Sequence, residues 1–289
     1  MSFGREERSH RRSRAADRRS PRGRVPRRLL LLLILLVVAL TLHALGALFA
    51  WRSLGDDVSG KSVATDSIDS GPTPNLRISN GSGAVRVEGV EGLESIELEA
   101  TKHALGSNRD EARRRASEIS TNLSRDGAAF VIEAGGERRT GIDYALRVPR
   151  GSSVEVESEA GDVQVLGLDG DVTAHAGAGD VTIENAGGSV EVRATRGDVV
   201  ISDVNTDTGQ VAVSVGVGDA SMENLVVGPF DARVETGDVI LSGRFSGSGE
   251  ALVQTGDVVV RLPPEDTREL TLEARIGDVV RGAGATGEE

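Results

Sequence analysis

One dipeptide, Gly-Asp, returns through the second half of this chain at a spacing that dictates what it can fold into. It occurs at Gly161, Gly170, Gly179, Gly197, Gly218, Gly237, Gly256 and Gly277. Without Gly170 the intervals are 18, 18, 21, 19, 19 and 21 residues. A period of that length marks stacked repeats, in which each unit buries its apolar side against its neighbours. Counted back from each corner Gly, positions minus seven, minus five and minus three are apolar or small. They read Val154, Val156, Ser158; Val172, Ala174, Ala176; Val190, Val192, Ala194; Val211, Val213, Val215; Phe230, Ala232, Val234; Gly249, Ala251, Val253; and Leu270, Leu272, Ala274. Counted forward, plus two and plus four give Val163/Val165, Val181/Ile183, Val199/Ile201, Ala220/Met222, Val239/Leu241 and Val258/Val260, and the last row keeps only Val279. Alternation with period two is the pattern of a strand with one buried face.

Each repeat therefore reads as strand, Gly-Asp corner, strand and a looser connection that absorbs the length variation. The expected fold is all-β, a parallel β-solenoid or single-stranded β-helix of 18–21 residues per coil. Parallel crossovers are nearly always right-handed, so a right-handed wind is expected. No six-residue period supports a left-handed hexapeptide helix, and propeller blades need about 40 residues. Gly161, Gly179, Gly197, Gly218, Gly237, Gly256 and Gly277 are expected to turn the chain, because Gly tolerates positive φ and Asp bonds nearby backbone. Asp162, Asp171 and Asp180 stand nine residues apart and carry a second reading as a calcium ladder. The GGxGxDxUx pattern that such ladders use is absent, so turn chemistry is preferred and no metal or cofactor is expected.

The composition agrees with a narrow interior. Five Phe, one Trp and one Tyr in 289 residues cannot fill a thick core, whereas small aliphatic columns can. With no Cys there is no disulfide, thiolate metal site or cysteine nucleophile. Residues 1–28 carry eleven Arg, and residues 29–51 form an uncharged run, LLLLLILLVVALTLHALGALFAW. At 1.5 Å per residue that run is long enough to cross the hydrocarbon layer. Positive charge on one flank holds that end in the cytoplasm, so the expectation is a single-pass cell-membrane protein with an extracytoplasmic C-terminal domain. A cleaved signal peptide ending near Ala44-Leu45-Gly46 is the alternative. His43 reads as an interfacial bystander of the span.

Beyond Trp51 the charge reverses. Taking the 11 basic and three acidic residues of the tail from totals of 33 and 45 leaves 22 against 42, a balance of −20. Such a surface argues against nucleic acid as a partner. Residues 52–74, rich in Ser, Asp, Gly and Pro, read as a flexible tether. The folded domain is expected over 75–280, its first coil formed by Leu76, Ile78 and Asn80 before Gly83 and by Val85 and Val87 after it. Residues 107–120 turn helical, with Ser107 and Asp110 as a capping box and a stripe of Ala112, Ala116 and Ile119. This insertion is expected to cover an open solenoid end, with Arg113, Arg114 and Arg115 as a minor candidate for an anionic ligand. Ala129–Glu133 and Ile142–Val148 read as strands, and 281–289 as a frayed tail.

Catalytic signatures are missing. There is no HExxH, GxSxG or Walker sequence, and the one GxGxxG, at Gly282, Gly284 and Gly287, precedes no helix. His10, His43, His103 and His175 are scattered. The acidic pairs Glu97/Glu99 and Glu155/Glu157 alternate on outward strand faces, and no catalytic residue is assigned. The run from Val148 to Val199, VPRGSSVEVESEAGDVQVLGLDGDVTAHAGAGDVTIENAGGSVEVRATRGDV, resembles the bacterial putative-adhesin family of β-strand-repeat envelope proteins. NLRISNGSGAVRVEGV at 75–90 and the helical insertion look similar to the same family. The resemblance implies envelope tethering and carries no binding residues over. Together these features predict a membrane-anchored, non-catalytic adhesive or scaffolding solenoid whose partners are envelope polysaccharide or protein. The rivals are an envelope-stress sensor signalling through the span, a self-assembling solenoid, and a polysaccharide-active β-helix enzyme.

Overall fold

A computed structural model of the chain describes residues 58–135, 140–206, 208–263 and 270–283. From residue 153 onward the chain winds as a parallel β-solenoid, each coil placing one strand in each of two sheets. One sheet receives β8 (Ser153–Ser158), β10 (Val172–Ala176), β12 (Val190–Arg196), β14 (Val211–Val217), β16 (Phe230–Thr236), β18 (Gly249–Thr255) and β20 (Leu270–Ile276). The other receives β9 (Val163–Leu166), β11 (Val181–Glu184), β13 (Val199–Ser202), β15 (Ala220–Val227), β17 (Val239–Phe245), β19 (Val258–Leu262) and β21 (Val279–Ala283).

The register follows the sequence columns. Val154, Val172, Val190, Val211, Phe230, Gly249 and Leu270 pair in succession from coil to coil. Their side chains, and those two and four residues on, point into a core of Val, Ile, Leu and Ala. Gly249 is the one inward position of the first column without a side chain. The Phe230 ring of the preceding coil fills that space, and a Cβ at Gly249 would lie 2.0 Å from Phe230 Cε1. Phe230 in turn stacks at a tilt on Phe245, with centroids 4.5 Å apart. This is favourable aromatic geometry.

At the corners, Gly161, Gly179, Gly197, Gly218, Gly237, Gly256 and Gly277 all adopt φ between 130° and 144°. A Cβ on any of the six from Gly179 to Gly277 would lie 2.0–2.4 Å from the carbonyl oxygen of the corner Gly one coil earlier. Sterics thus demand glycine twice over, once for backbone conformation and once for stacking.

The N-terminal end departs from chain order. β2 (Asn75–Asn80) and β3 (Val85–Val90) form a coil, as the pattern predicts, yet it is not the outermost one. β2 lies between β6 (Ala129–Gly135) and β8, and β3 between β7 (Thr140–Pro149) and β9. The segment between them adds β4 (Ser95–Gly106), antiparallel to β7, and β5 (Ser120–Asp126), antiparallel to β6. Residues 58–69, expected in a flexible tether, instead form β1 (Val58–Asp69), paired antiparallel to β4 along its length. The reason is alternation hidden under polar composition: Gly60, Ser62 and Ala64 occupy the less exposed face of the strand, and Lys61, Val63 and Thr65 the exposed one.

The helix α1 (Arg109–Glu118) packs on β1 and β4 by way of Ala112 and Ala116. Gly60 and Gly106 allow the approach, since a Cβ on either would fall within 2.6 Å of the Ala112 backbone. The cap residue is Asn108 rather than Ser107: Asn108 Oδ1 accepts the Glu111 amide at 2.9 Å. The Glu111 carboxylate reaches back to the Ser107 amide at 3.1 Å, one residue later than the expected box. The apolar run at 29–51 and the basic tail at 1–28 lie outside the described residues. Among the described residues no helix is long and apolar enough to cross a membrane. β21 carries the chain to Ala283 where a frayed tail is expected from 281, and 284–289 lie outside the described residues.

Candidate functional site

Because inward columns and corners are spent on holding the coils together, function falls to the outward faces. The corner aspartates belong to the first task. Asp162 Oδ1 accepts the Asp180 amide at 3.0 Å, and the pattern continues through Asp198, Asp219, Asp238, Asp257 and Asp278 at 2.8–2.9 Å. Each carboxylate ties its coil to the next, whereas the sequence suggested a bond within its own turn. Such a charge-assisted bond contributes roughly 1.5–3 kcal/mol at best, less where water reaches it.

Asp171 stands at a different corner, where its Oδ1 accepts the Ser189 amide at 2.9 Å. In the alternative calcium reading, Asp162, Asp171 and Asp180 would converge, whereas Asp171 is set apart from the other two. No cluster of three His, Cys, Asp or Glu among the described residues is arranged to hold a metal ion.

A second column was not legible in the repeat. Asn185, Asp203 and Asn224 sit at φ of 55–57°, with Gly167 at 68° in the same place one coil earlier. Asn and Asp are the side chains that best tolerate this left-handed conformation. Directly after them Leu168, Ala186, Val204 and Leu225 are fully or almost fully buried. The one available signal was a short polar residue followed by an aliphatic one, at changing distances from Gly-Asp.

One outward recess is a shallow groove of about 670 Å³ across β1, β4, β7 and β3. Two register rows build it. Thr65, Glu99, Ala145 and Arg86 form one, and Ser67, Glu97, Arg147 and Glu88 the other. Ala145 leaves a low floor between long charged side chains. Arg147 holds Glu97 at 2.8 Å, and Arg86 donates to Gln164 on the next coil. Further along this face His103 Nε2 lies 2.6 Å from Asp143 Oδ2, while Asp143 Oδ1 accepts the Ala84 amide at 3.0 Å. The pair orients an imidazole on the outer side of the sheet.

His175 points outward on the other sheet, 3.1 Å from Arg193, away from His103. Glu155 is bound by Arg77 at 2.9 Å, and this bond raises the Arg77 pKa further above its already high value. Bonds to Asp169 and Asp231 do the same for Arg150 and Arg233. Of the insertion arginines, Arg115 is committed to Glu111 at 2.7 Å and to the Leu105 carbonyl at 3.1 Å. The surface thus offers paired charges and hydroxyls for polar contact. It offers no exposed aromatic platform among the described residues, since Phe130, Tyr144, Phe230 and Phe245 are all buried.

The chain matches the family model described as Toastrack DUF4097 over residues 75–286. Among solved structures, a putative adhesin from Bacteroides fragilis aligns at a TM-score of 0.51 and 13% identity, over 76% of this chain and 97% of that one. A putative adhesin from Parabacteroides merdae aligns at a TM-score of 0.40 and 10% identity, over 76% of this chain and 96% of that one. No curated protein matches the chain.

Proposed function

Since the chain belongs to the Toastrack DUF4097 family, a bacterial domain family of unknown function, we propose that it is a membrane-anchored, extracytoplasmic scaffold or adhesive rod without catalytic activity. The carrying observation is the division of labour around each coil. Inward columns and corner residues repeat, whereas outward residues change from coil to coil, and those of the N-terminal strands gather into the charged groove around Ala145. A rod of this kind displays binding surface without enclosing a reaction chamber. The uncharged run at 29–51, with eleven Arg before it and an acidic domain after it, supports a cytoplasmic N-terminus and an exposed solenoid. Envelope polysaccharide or protein is the partner, met through polar contacts because sugar-stacking aromatics are absent from the described surface.

Cross-linking full-length protein in intact cells of its source tests this reading. Capture of wall polymer or envelope proteins from the outer side supports it, and turnover of any polysaccharide in a broad panel overturns its non-catalytic part. A second reading, an envelope-stress sensor, is favoured by the Arg-rich tail beyond the span. Replacing residues 5–28 with an unrelated basic flank separates the two: signalling is lost under the second reading, and binding survives under the first.

A further inference from the structure

Seven large apolar side chains are exposed among the described residues, and four of them, Val200, Val217, Ile276 and Val280, stand at outward positions beside the Gly-Asp corner. That concentration distinguishes a site from the scattered apolar residues any surface carries. On one side of the corner, Val200, Ser221, Ile240, Val259 and Val280 are register partners on successive coils, all outward. On the other side, Arg196, Val217, Thr236, Thr255 and Ile276 form the matching row. The aspartate line runs between the two rows.

Several carboxylates elsewhere on the surface are neutralised locally. Glu97, Glu155, Asp169, Glu191, Asp231 and Glu250 each face an arginine. Asp198, Asp219, Asp238, Asp257 and Asp278 pair with no basic side chain among the described residues, and the first four accept the backbone amide of the next corner aspartate. The result is a surface of aliphatic and hydroxyl side chains, with Arg196 at its first coil, split by a line of carboxylates that form no ion pair.

We infer that this corner, from Val200 to Val280, docks a basic amphipathic helix supplied by a partner polypeptide. Charge complementarity selects the sign, and the −20 balance beyond Trp51 repels a second copy of this chain. Repeat length selects the helix. Neighbouring coils lie about 4.8 Å apart, and a helix lying along the solenoid axis rises about 5.4 Å per turn. One basic residue per turn then stays near one aspartate per coil, drifting by only about 2 Å in three turns, which flexible side chains absorb. An extended strand would place same-face side chains about 6.6 Å apart and lose step after one coil. This inference concerns coils further along the same sheet from the groove around Ala145 and does not depend on that groove.

The test uses the full chain in zwitterionic phosphatidylcholine nanodiscs, with empty discs as the reference. The probe is a fluorescent peptide of two Leu-Lys-Lys-Leu-Leu-Lys-Leu units, compared with a reordered peptide of equal composition and no apolar face. Saturable binding of the amphipathic peptide, weakening as salt rises, is expected. The triple variant Asp219→Asn/Asp238→Asn/Asp257→Asn keeps the Oδ1 acceptors that hold the coils together and removes only charge. It should bind about tenfold more weakly. Val200→Thr/Ile240→Thr/Val259→Thr, which alters only outward side chains, should cost about fivefold. Unchanged affinity in the triple Asn variant, equal binding of the reordered peptide, or no binding above empty discs overturns the proposal.

Discussion

Residues 91–149 and the coils from Ser153 onward solve the same packing problem in opposite ways. The coils repeat one narrow cross-section, filled by Val, Ile, Leu and Ala and turned by a glycine that admits no substitute. The N-terminal segment closes the end once, with Phe130 and Tyr144 in its interior and a helix seated on β1 and β4. In the coils the backbone is the constraint and side chains need only be small and apolar. In the cap side-chain size does the filling, and the glycine turns are open to solvent: a Cβ at Gly92 or Gly127 would meet nothing within 4 Å. A repeat exports its tolerance to every copy, while a cap concentrates its information in a few positions.

The sharpest way to break this contrast is Gly237→Ala. Gly237 holds φ at 137°, and its new methyl would sit 2.0 Å from the Gly218 carbonyl oxygen. A loss of roughly 4 kcal/mol or more is expected, read by urea denaturation.

Next comes the cap interior. Tyr144 is the only Tyr, its hydroxyl is buried without a partner, and burial pushes its pKa up to about 12. Below pH 10 both folded and unfolded chains keep the phenol proton. Between about pH 10 and 12 the unfolded chain releases a proton that the folded chain holds, so this contribution to stability falls as pH rises. The fall is about 1.4 kcal/mol per pH unit, or about 2.7 kcal/mol in all. Tyr144→Phe should abolish that alkaline loss while leaving stability at pH 7 unchanged within about 0.5 kcal/mol. Paired denaturation curves at neutral and alkaline pH decide it.

Gly127→Ala, on a cap turn at φ 61°, should cost only about 1 kcal/mol despite the same nominal change as at Gly237. Asn108→Ala should also cost about 1 kcal/mol, by freeing the first turn of α1. Hydrogen exchange should localise that effect to residues 107–118. Smallest of all, Val63→Thr on the exposed face of β1 should stay within about 0.5 kcal/mol by thermal melting.

Sequence periodicity carried the coils almost completely, because Val154 and its successors obey a rule that neighbouring repeats restate. Spatial order at the N-terminal end was not legible. Nothing in NLRISN states that it will lie between β6 and β8, since that depends on which later segment competes for each edge. β1 was missed because Ser, Asp and Lys dominate 58–69, and propensity yielded there to pairing with β4. The cap at Asn108 differed from Ser107 by one residue, since both side chains serve and the packing of Ala112 and Ala116 chooses the phase. For the outward surface, the sequence revealed which residues face out. Register was needed to bring Glu97, Arg147 and Glu88 into one groove, and to align five separate aspartates between two outward rows.

The coil formed by β2 and β3 is made early and completed late. Its partner Glu155 lies 78 residues downstream of Arg77, whereas Asp180 lies only 18 beyond Asp162. Later coils can add one at a time onto a formed neighbour, with short loops to close. The first must wait on both edges, for β6 and β7 on one side and for β8 and β9 on the other. A chain emerging from its N-terminus therefore exposes two unpaired strand edges until Leu166 has appeared. During that interval a chaperone, or an aggregating neighbour, finds its opening.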